Sequence, residues 1–334
     1  MKIIDAGVEL WPVPATREER LALIERAGRV CYKSEDRIAD GTAEKFISNL
    51  IQRGHTSVLE HGNIVLRTDA STLRWIEDAK LWLARKGRNV YLRVGCHINR
   101  PNGNVFLVSG NARAWIEFLK AVEFSFLAHE ITDDVISVIL NNRVLFDGLD
   151  PEKHMRRISK YYKDSILDGE MFDLSFVNPG IRAIHQTYTL KFTCDRATSH
   201  ELVRHRVMSF SQESTRYCNY GKDKFGNEIT VIRPFYAQEG ALLYDPWMEG
   251  MQNAERAYFK MLNAGATAQE ARSVLPNDLK TEVVVTGTCN DWLHFLKLRT
   301  SNAAHPCIRR LALKAAELLY NEQPEIFSQY AERR

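Results

Sequence analysis

The stretch Arg204-His205-Arg206-Val207-Met208-Ser209-Phe210-Ser211-Gln212-Glu213-Ser214-Thr215-Arg216-Tyr217 decides how this chain is read. It concentrates three permanent cations, one imidazole and a run of Ser and Thr hydroxyls. Arg presents five N–H donors in a rigid fork that matches phosphate or an oxyanion, and it stays charged at any working pH. Read as a helix, the stretch points Arg204 and Arg206 about 200° apart, so they serve two ligand parts or one reaches a neighbouring subunit. A charged run is commonly just a solvated helix face. Here the residues that follow favour caps and turns. A basic helix running into a hydroxyl-rich turn suits a bound phosphate.

Composition narrows the ligand. At 334 residues, 45% hydrophobic and 26% charged, the chain reads as a soluble globular protein with one large core or two modest ones. A net charge of +3 is too small for general nucleic-acid binding. The basicity is local, between Arg196 and Arg216, which points to a discrete anionic ligand. The opening Met1-Lys2-Ile3-Ile4-Asp5 lacks a signal-peptide core, and no apolar run approaches a membrane span. Cys31, Cys96, Cys194, Cys218, Cys289 and Cys307 are scattered without a Cys-x-x-Cys pair. A reduced, cytoplasmic protein with neither zinc site nor disulfide framework is expected. Without Gly-x-Ser-x-Gly or a metal-binding His/Asp constellation, a hydrolase is disfavoured.

Periodicity and punctuation predict the elements. Thr16-x-x-Glu19 is a capping box opening a helix whose inner stripe is Leu21, Leu23, Ile24 and Ala27. Thr42 caps a second helix carrying Phe46, Leu50 and Ile51 and stopping at Gly54. Strands are expected over 64–68, 186–193 and 281–286. Asp245 and Pro246 open a long helix ending before Gly265, and Thr267-x-x-Glu270 starts a short one. Helices follow at about 289–299 and 306–320. Strands alternating with helices, without Gly-x-Gly-x-x-Gly, argue for an α+β protein rather than a Rossmann domain. Val108 to Lys120 also aligns without gaps on Val285 to Lys297, sharing Val, Gly, Trp, Phe, Leu and Lys. Duplication and convergence on one strand-to-helix turn both account for this.

The signature resembles a known family. Arg204-His205-Arg206, seven residues and Ser214 are similar to the motif of the flavin-dependent thymidylate synthases, and Ser211 to Tyr217 resembles its usual tail. Gly54-His55-Thr56-Ser57-Val58-Leu59-Glu60-His61 resembles the family's His-x-Thr/Ser-Pro-x-Glu-His segment, with Val58 in place of Pro. Glu270-Ala271-Arg272 with Leu275-Pro276, then His294 to Arg299, are similar to its second half. The resemblance implies one α+β domain over 1–334, a mixed sheet flanked by long helices. Compact members pass directly from the first segment to the Arg-His-Arg motif. This chain carries roughly 120 residues more, at about 70–180, too many for a connecting loop. They are expected to form an inserted α/β region, a candidate pseudo-repeat of part of the core.

The implied activity is reductive C5-methylation of dUMP to dTMP, with methylenetetrahydrofolate as carbon donor and FAD with NADPH as reductant. A homotetramer with shared sites is implied as well. A near alternative methylates or hydroxymethylates UMP or another pyrimidine nucleotide. Arg299 matches the arginine on the pyrimidine ring, although a helix-end charge would look the same in sequence. Ser214, Arg216 and Arg272 match phosphate and nucleotide contacts, and Glu201 stands where relatives often have Gln. A carboxylate there repels phosphate unless it bonds the sugar or pairs with an Arg. His55, Ser57, Glu60, Arg204, His205, Arg206 and His294 match the flavin site, with Arg204 also touching nucleotide and Gln212 between the two ligands. Relatives often carry Asn-x-Arg where this chain has Thr288-Cys289-Asn290. Asn111-Ala112-Arg113 is that tripeptide in the extra region, so Asn111 and Arg113 join the flavin set; a plain surface role fits Arg113 equally.

Overall fold

The computed structural model describes residues 1–88, 91–100, 103–123, 135, 142–146 and 174–330. In chain order its main elements are β1 (Lys2–Ile4), β2 (Gly7–Leu10), α1 (Arg17–Tyr32), α2 (Thr42–Gln52), β3 (Asn63–Thr68), α3 (Ala70–Arg85), β4 (Arg93–Arg100), β5 (Gly103–Asn111) and α4 (Ala112–Glu123). After these come α5 (Pro179–His185), β6 (Thr187–Asp195), α6 (Arg196–Leu202), β7 (Ser209–Gln212), β8 (Thr230–Ile232), α7 (Tyr244–Asn263) and α8 (Ala268–Ala271). The last are β9 (Lys280–Thr288), α9 (Cys289–Arg299), α10 (Pro306–Glu322) and α11 (Pro324–Phe327). The fold is mixed α/β with three sheets among the described residues.

Two compact units divide the chain. A signature unit comprises Met1–Pro12, Ala27–Arg37 and Tyr188–Arg334, and an insert unit comprises Val13–Arg26 and Ile38–Thr187. The insert unit takes in residues 13–26 and 38–69 together with the stretch at about 70–180 where an insertion is expected. The reason is packing: Ile47 and Leu50 of α2, Leu59 and Ile64 share one core with Ile76, Trp115 and Phe118. Burying each such side chain stabilises by about 1.5–3 kcal/mol, so these segments cannot separate cheaply. The sheet of this unit runs β3-β5-β4, antiparallel throughout.

The signature unit holds a four-stranded sheet in the order β2-β6-β9-β7, and a parallel pair β1-β8. Tyr188, Leu190 and Phe192 of β6 are buried, as their alternation requires, and so is Thr189 on the other face. Helix starts follow local chemistry. The Thr16/Glu19 and Thr267/Glu270 boxes form as expected. Two others shift by a residue or more. Gly41, in the left-handed region at φ 75°, takes the N-cap of α2, and the Thr42 hydroxyl bonds Glu25 instead. Leu243 caps α7, so Asp245 and Pro246 sit inside its first turn, where a missing N–H costs nothing.

The signature itself departs from the helix expected of it. α6 stops at Leu202, and residues 203–208 form a turn closed by Arg206 N–H to Arg204 O and Met208 N–H to His205 O. Of the hydroxyl-rich piece, Ser209 and Ser211 lie in strand β7, antiparallel to β9 from Ser209↔Thr286 to Gln212↔Val283, while Ser214 and Thr215 fall in the loop and turn that follow. The ladder outweighs the weak local preference of Ser for caps. Arg204 and Arg206 are both exposed while His205 between them is buried.

Candidate active site

Arg299, the last residue of α9, reaches back to the end of α6. Its Nη1 donates to Glu201 Oε2 at 2.6 Å, its Nη2 to the Glu201 carbonyl at 3.0 Å, and its Nε to His205 Nε2 at 3.0 Å. The carbonyl bond satisfies a C-terminal acceptor of α6 that has no partner within its helix. The carboxylate at 201 is thus paired with an Arg, one of the two arrangements the sequence left open for a Glu in that position. His205 packs edge-on to Phe295 at 4.9 Å and against His294 at 6.1 Å. Burial, with Arg299 and His294 adding to it, pushes His205 down to about 4. The ring is therefore neutral at pH 7, with Nε2 free to accept and the proton on Nδ1. Three of the five guanidinium N–H donors of Arg299 are used, which leaves two for a ligand.

The loop after β7 carries Ser214 and Arg216. Ser214 N–H bonds the Cys31 carbonyl, and the Ser214 hydroxyl accepts from Arg216 N–H at 3.3 Å. Arg216 Nε donates to Gln269 at 2.9 Å, tying this loop to the segment that carries Arg272. Gln212 donates to the Ser199 and Thr281 hydroxyls at 2.9 and 3.2 Å. Arg204, Arg206 and Arg272 are exposed and have no side-chain partner among the described residues.

Sequence reasoning missed what anchors this loop. Lys280 bonds Glu213 at 2.8 Å and Glu282 at 3.2 Å, and Lys33 bonds Glu282 and Glu35. Burial opposes ionisation of Glu282, yet Lys280 and Lys33 hold it down at about 2. The signal available was the period of β9, which puts Lys280 and Glu282 on one face and Thr281 and Val283 on the other. Lys280→Met strands Glu213, whose side chain is only 2% exposed. It should cost about 3 kcal/mol, read as a lower urea midpoint, and Lys280→Met with Glu213→Leu should recover most of that. An unchanged midpoint in the single variant would show that the network contributes nothing.

In the insert unit Arg113 Nη1 donates to Glu60 at 2.8 Å, and its Nε to Glu117 at 2.8 Å. Two residues chosen from separate motifs are thereby paired. Asn111 is occupied as the cap of α4, accepting from Ala114 N–H at 2.8 Å. His55 and Ser57 are exposed at the head of the Thr56–His61 turn. A cavity of about 530 Å³, lined by Asp195, Arg233, Phe235, Asp278, Arg310 and others, takes in none of the residues picked from sequence.

The mixed α/β scaffold thus presents exposed guanidinium groups next to an Arg299–Glu201–His205 cluster. The chain matches the model of the thymidylate synthase complementing protein family over residues 14–75 and 183–325, and it belongs to that family. It is 32% identical over 169 residues to the flavin-dependent thymidylate synthase of Pyrococcus furiosus, covering 50% of this chain and 62% of that one. Against the Thermococcus onnurineus enzyme of the same name it is 33% identical over 175 residues, covering 52% and 64%. The match thus spans less than two thirds of either relative. A UMP/dUMP methylase, PolB from Streptomyces cacaoi, aligns over 99% of this chain and 96% of its own at 15% identity and TM-score 0.41, too loose to build on. Among the described residues no helix is long and apolar enough to cross a membrane.

Proposed function

We propose that this chain is a flavin-dependent thymidylate synthase that converts dUMP to dTMP, using FAD, NADPH and methylenetetrahydrofolate. Family membership supports the reading, and the geometry of Arg299 carries it. Methylation at C5 needs that carbon as a nucleophile, which moves negative charge onto the ring oxygens. Two free N–H donors on a guanidinium already fixed by Glu201 and a neutral His205 suit that charge without reorganising. Ser214, Arg216 and the uncommitted Arg272 would hold the nucleotide phosphate.

A thiolate route is poorly served here. Burial pushes the Cys218 thiol up to about 12 and Cys307 up to about 11, and it raises Cys31 and Cys194 too. None of these offers a thiolate at neutral pH. Within the signature unit the residues suit a flavin, since Arg204 and Arg206 are exposed cations that a diphosphate could engage. Flavin, when bound, supplies the electrons that the one-carbon unit needs to become a methyl group. We also propose a homotetramer with shared sites. Apolar Val203, Val207 and Leu298 beside the cluster are 38%, 70% and 47% exposed, which favours cover by another subunit.

The purified protein is expected to be yellow and to be bleached by NADPH faster when dUMP is present. Labelled methylenetetrahydrofolate should put its carbon into dTMP. Label appearing only in a UMP product would move the substrate to the ribonucleotide. A colourless protein that makes neither would reject the proposal.

A further inference from the structure

Two stretches of the chain make a matching set of contacts. His61 and His185 stand 124 residues apart, and the strands that follow them align as Ile64-Val65-Leu66-Arg67 on Tyr188-Thr189-Leu190-Lys191. Both imidazoles are fully buried. An Asp just after β3 and one at the end of β6 cap the next helix: Asp69 accepts from Thr72 N–H and Asp195 from Thr198 N–H. The partner strands β5 and β9 each carry a Gly as their penultimate residue, where a Cβ would meet the side-chain end of Leu92 at 2.5 Å from Gly110 and that of Met208 at 2.7 Å from Gly287. Trp115 and Trp292 then donate their indole N–H to Ile64 O and Tyr188 O, the third residue after each His. Phe118 and Phe295 pack edge-on to these indoles. The facing pair Val65↔Ser109 has its counterpart in Thr189 and Thr286, whose hydroxyls meet at 2.7 Å. Convergence on one strand-to-helix turn does not produce bonds that agree across separate segments of chain.

The two copies have lost complementary residues. Counted from the Asp caps, Glu201, Arg204 and His205 correspond to Trp75, Asp78 and Ala79 in the first copy. Counted from the Trp residues, Arg299 corresponds to Val122. Where the second copy breaks after α6 into its cationic turn, α3 runs on as a helix to Arg85. Trp75, at the position of Glu201, packs on Phe118, the counterpart of Phe295. In the opposite direction, Glu60 and Arg113 correspond to Ile184 and Asn290.

We infer that the chain is an internal duplication whose first copy has given up nucleotide binding, so that each chain holds one nucleotide, in the second copy. This rests on the function proposed above. Titration calorimetry of dUMP into the purified holoprotein should give one site per chain and no detectable site in Arg299→Ala. Arg272 is exposed and unpaired, so Arg272→Ala keeps the fold and should weaken a single class of sites about tenfold or more. Two sites per chain, or a class indifferent to both substitutions, would overturn the duplication-with-loss reading alone. A wild-type protein that binds no dUMP would instead overturn the proposed function, and this inference with it.

Discussion

Arg299→Ala is expected to lower kcat/KM for dUMP by about 10³-fold while the flavin stays bound. Removing one preorganised donor from a developing oxyanion costs about 10²–10³ in rate. Here the loss also strips Glu201 and His205 of their shared partner. Glu201 would then be a carboxylate with no cation beside it, close to where a phosphorylated ligand must come. Arg299→Lys should recover little, because an ammonium cannot serve the Glu201 carboxylate, its backbone carbonyl and His205 from one planar fork. Glu201→Gln keeps an acceptor for Nη1 and should cost only about tenfold. Steady-state kinetics with flavin absorbance separates these variants. Equal kcat/KM in wild type and Arg299→Ala would remove this residue from the chemistry.

Acid should unfold the protein unusually early. Burial pushes His61 down to about 3 and His185 down to about 4, with Arg93 adding to the latter. His205 is the third, at about 4. All three are neutral in the native state, whereas the unfolded chain protonates them below about pH 6.5. Their contribution is therefore complete above that pH, falls as the pH drops towards 4, and levels off below about 3. With three protons taken up on unfolding, the slope near pH 5 approaches about 4 kcal/mol per pH unit. Urea midpoints at pH 7.5, 6.0 and 5.0 measure it. Midpoints that stay flat over that range would mean that these imidazoles already bind protons in the folded protein.

The local parts of the fold were legible because their causes are local. Thr16 with Glu19 and Thr267 with Glu270 reach each other within one turn, so spacing alone predicts their caps. α9 falls on the range expected of it because the capping residue Thr288 and the terminal Arg299 bracket a compact apolar stripe. Legibility ended where a neighbour could outbid local preference. Ser209 and Ser211 favour turns, but an open edge of β9 made them a strand. Thr42 is a good cap, but Gly41 already had the backbone angle and Glu25 took the hydroxyl.

By itself the sequence determined the family and the inventory of cations, since spacing of Arg-His-Arg, Ser214 and Arg216 is a property of the chain as written. It also determined which strands alternate and where most helices begin. Only the tertiary structure decided that Arg299 is gripped by Glu201 and His205 rather than left at a helix end. It alone placed Lys33, Lys280, Glu213 and Glu282 in one buried network, and it alone showed Trp115 and Trp292 donating to the backbone carbonyls of Ile64 and Tyr188. The physical reason is distance along the chain. Glu201 and Arg299 are 98 residues apart, and Lys33 and Glu282 are 249 apart. A charge's partner at that separation is chosen by packing of the whole core, which no local pattern of residues encodes.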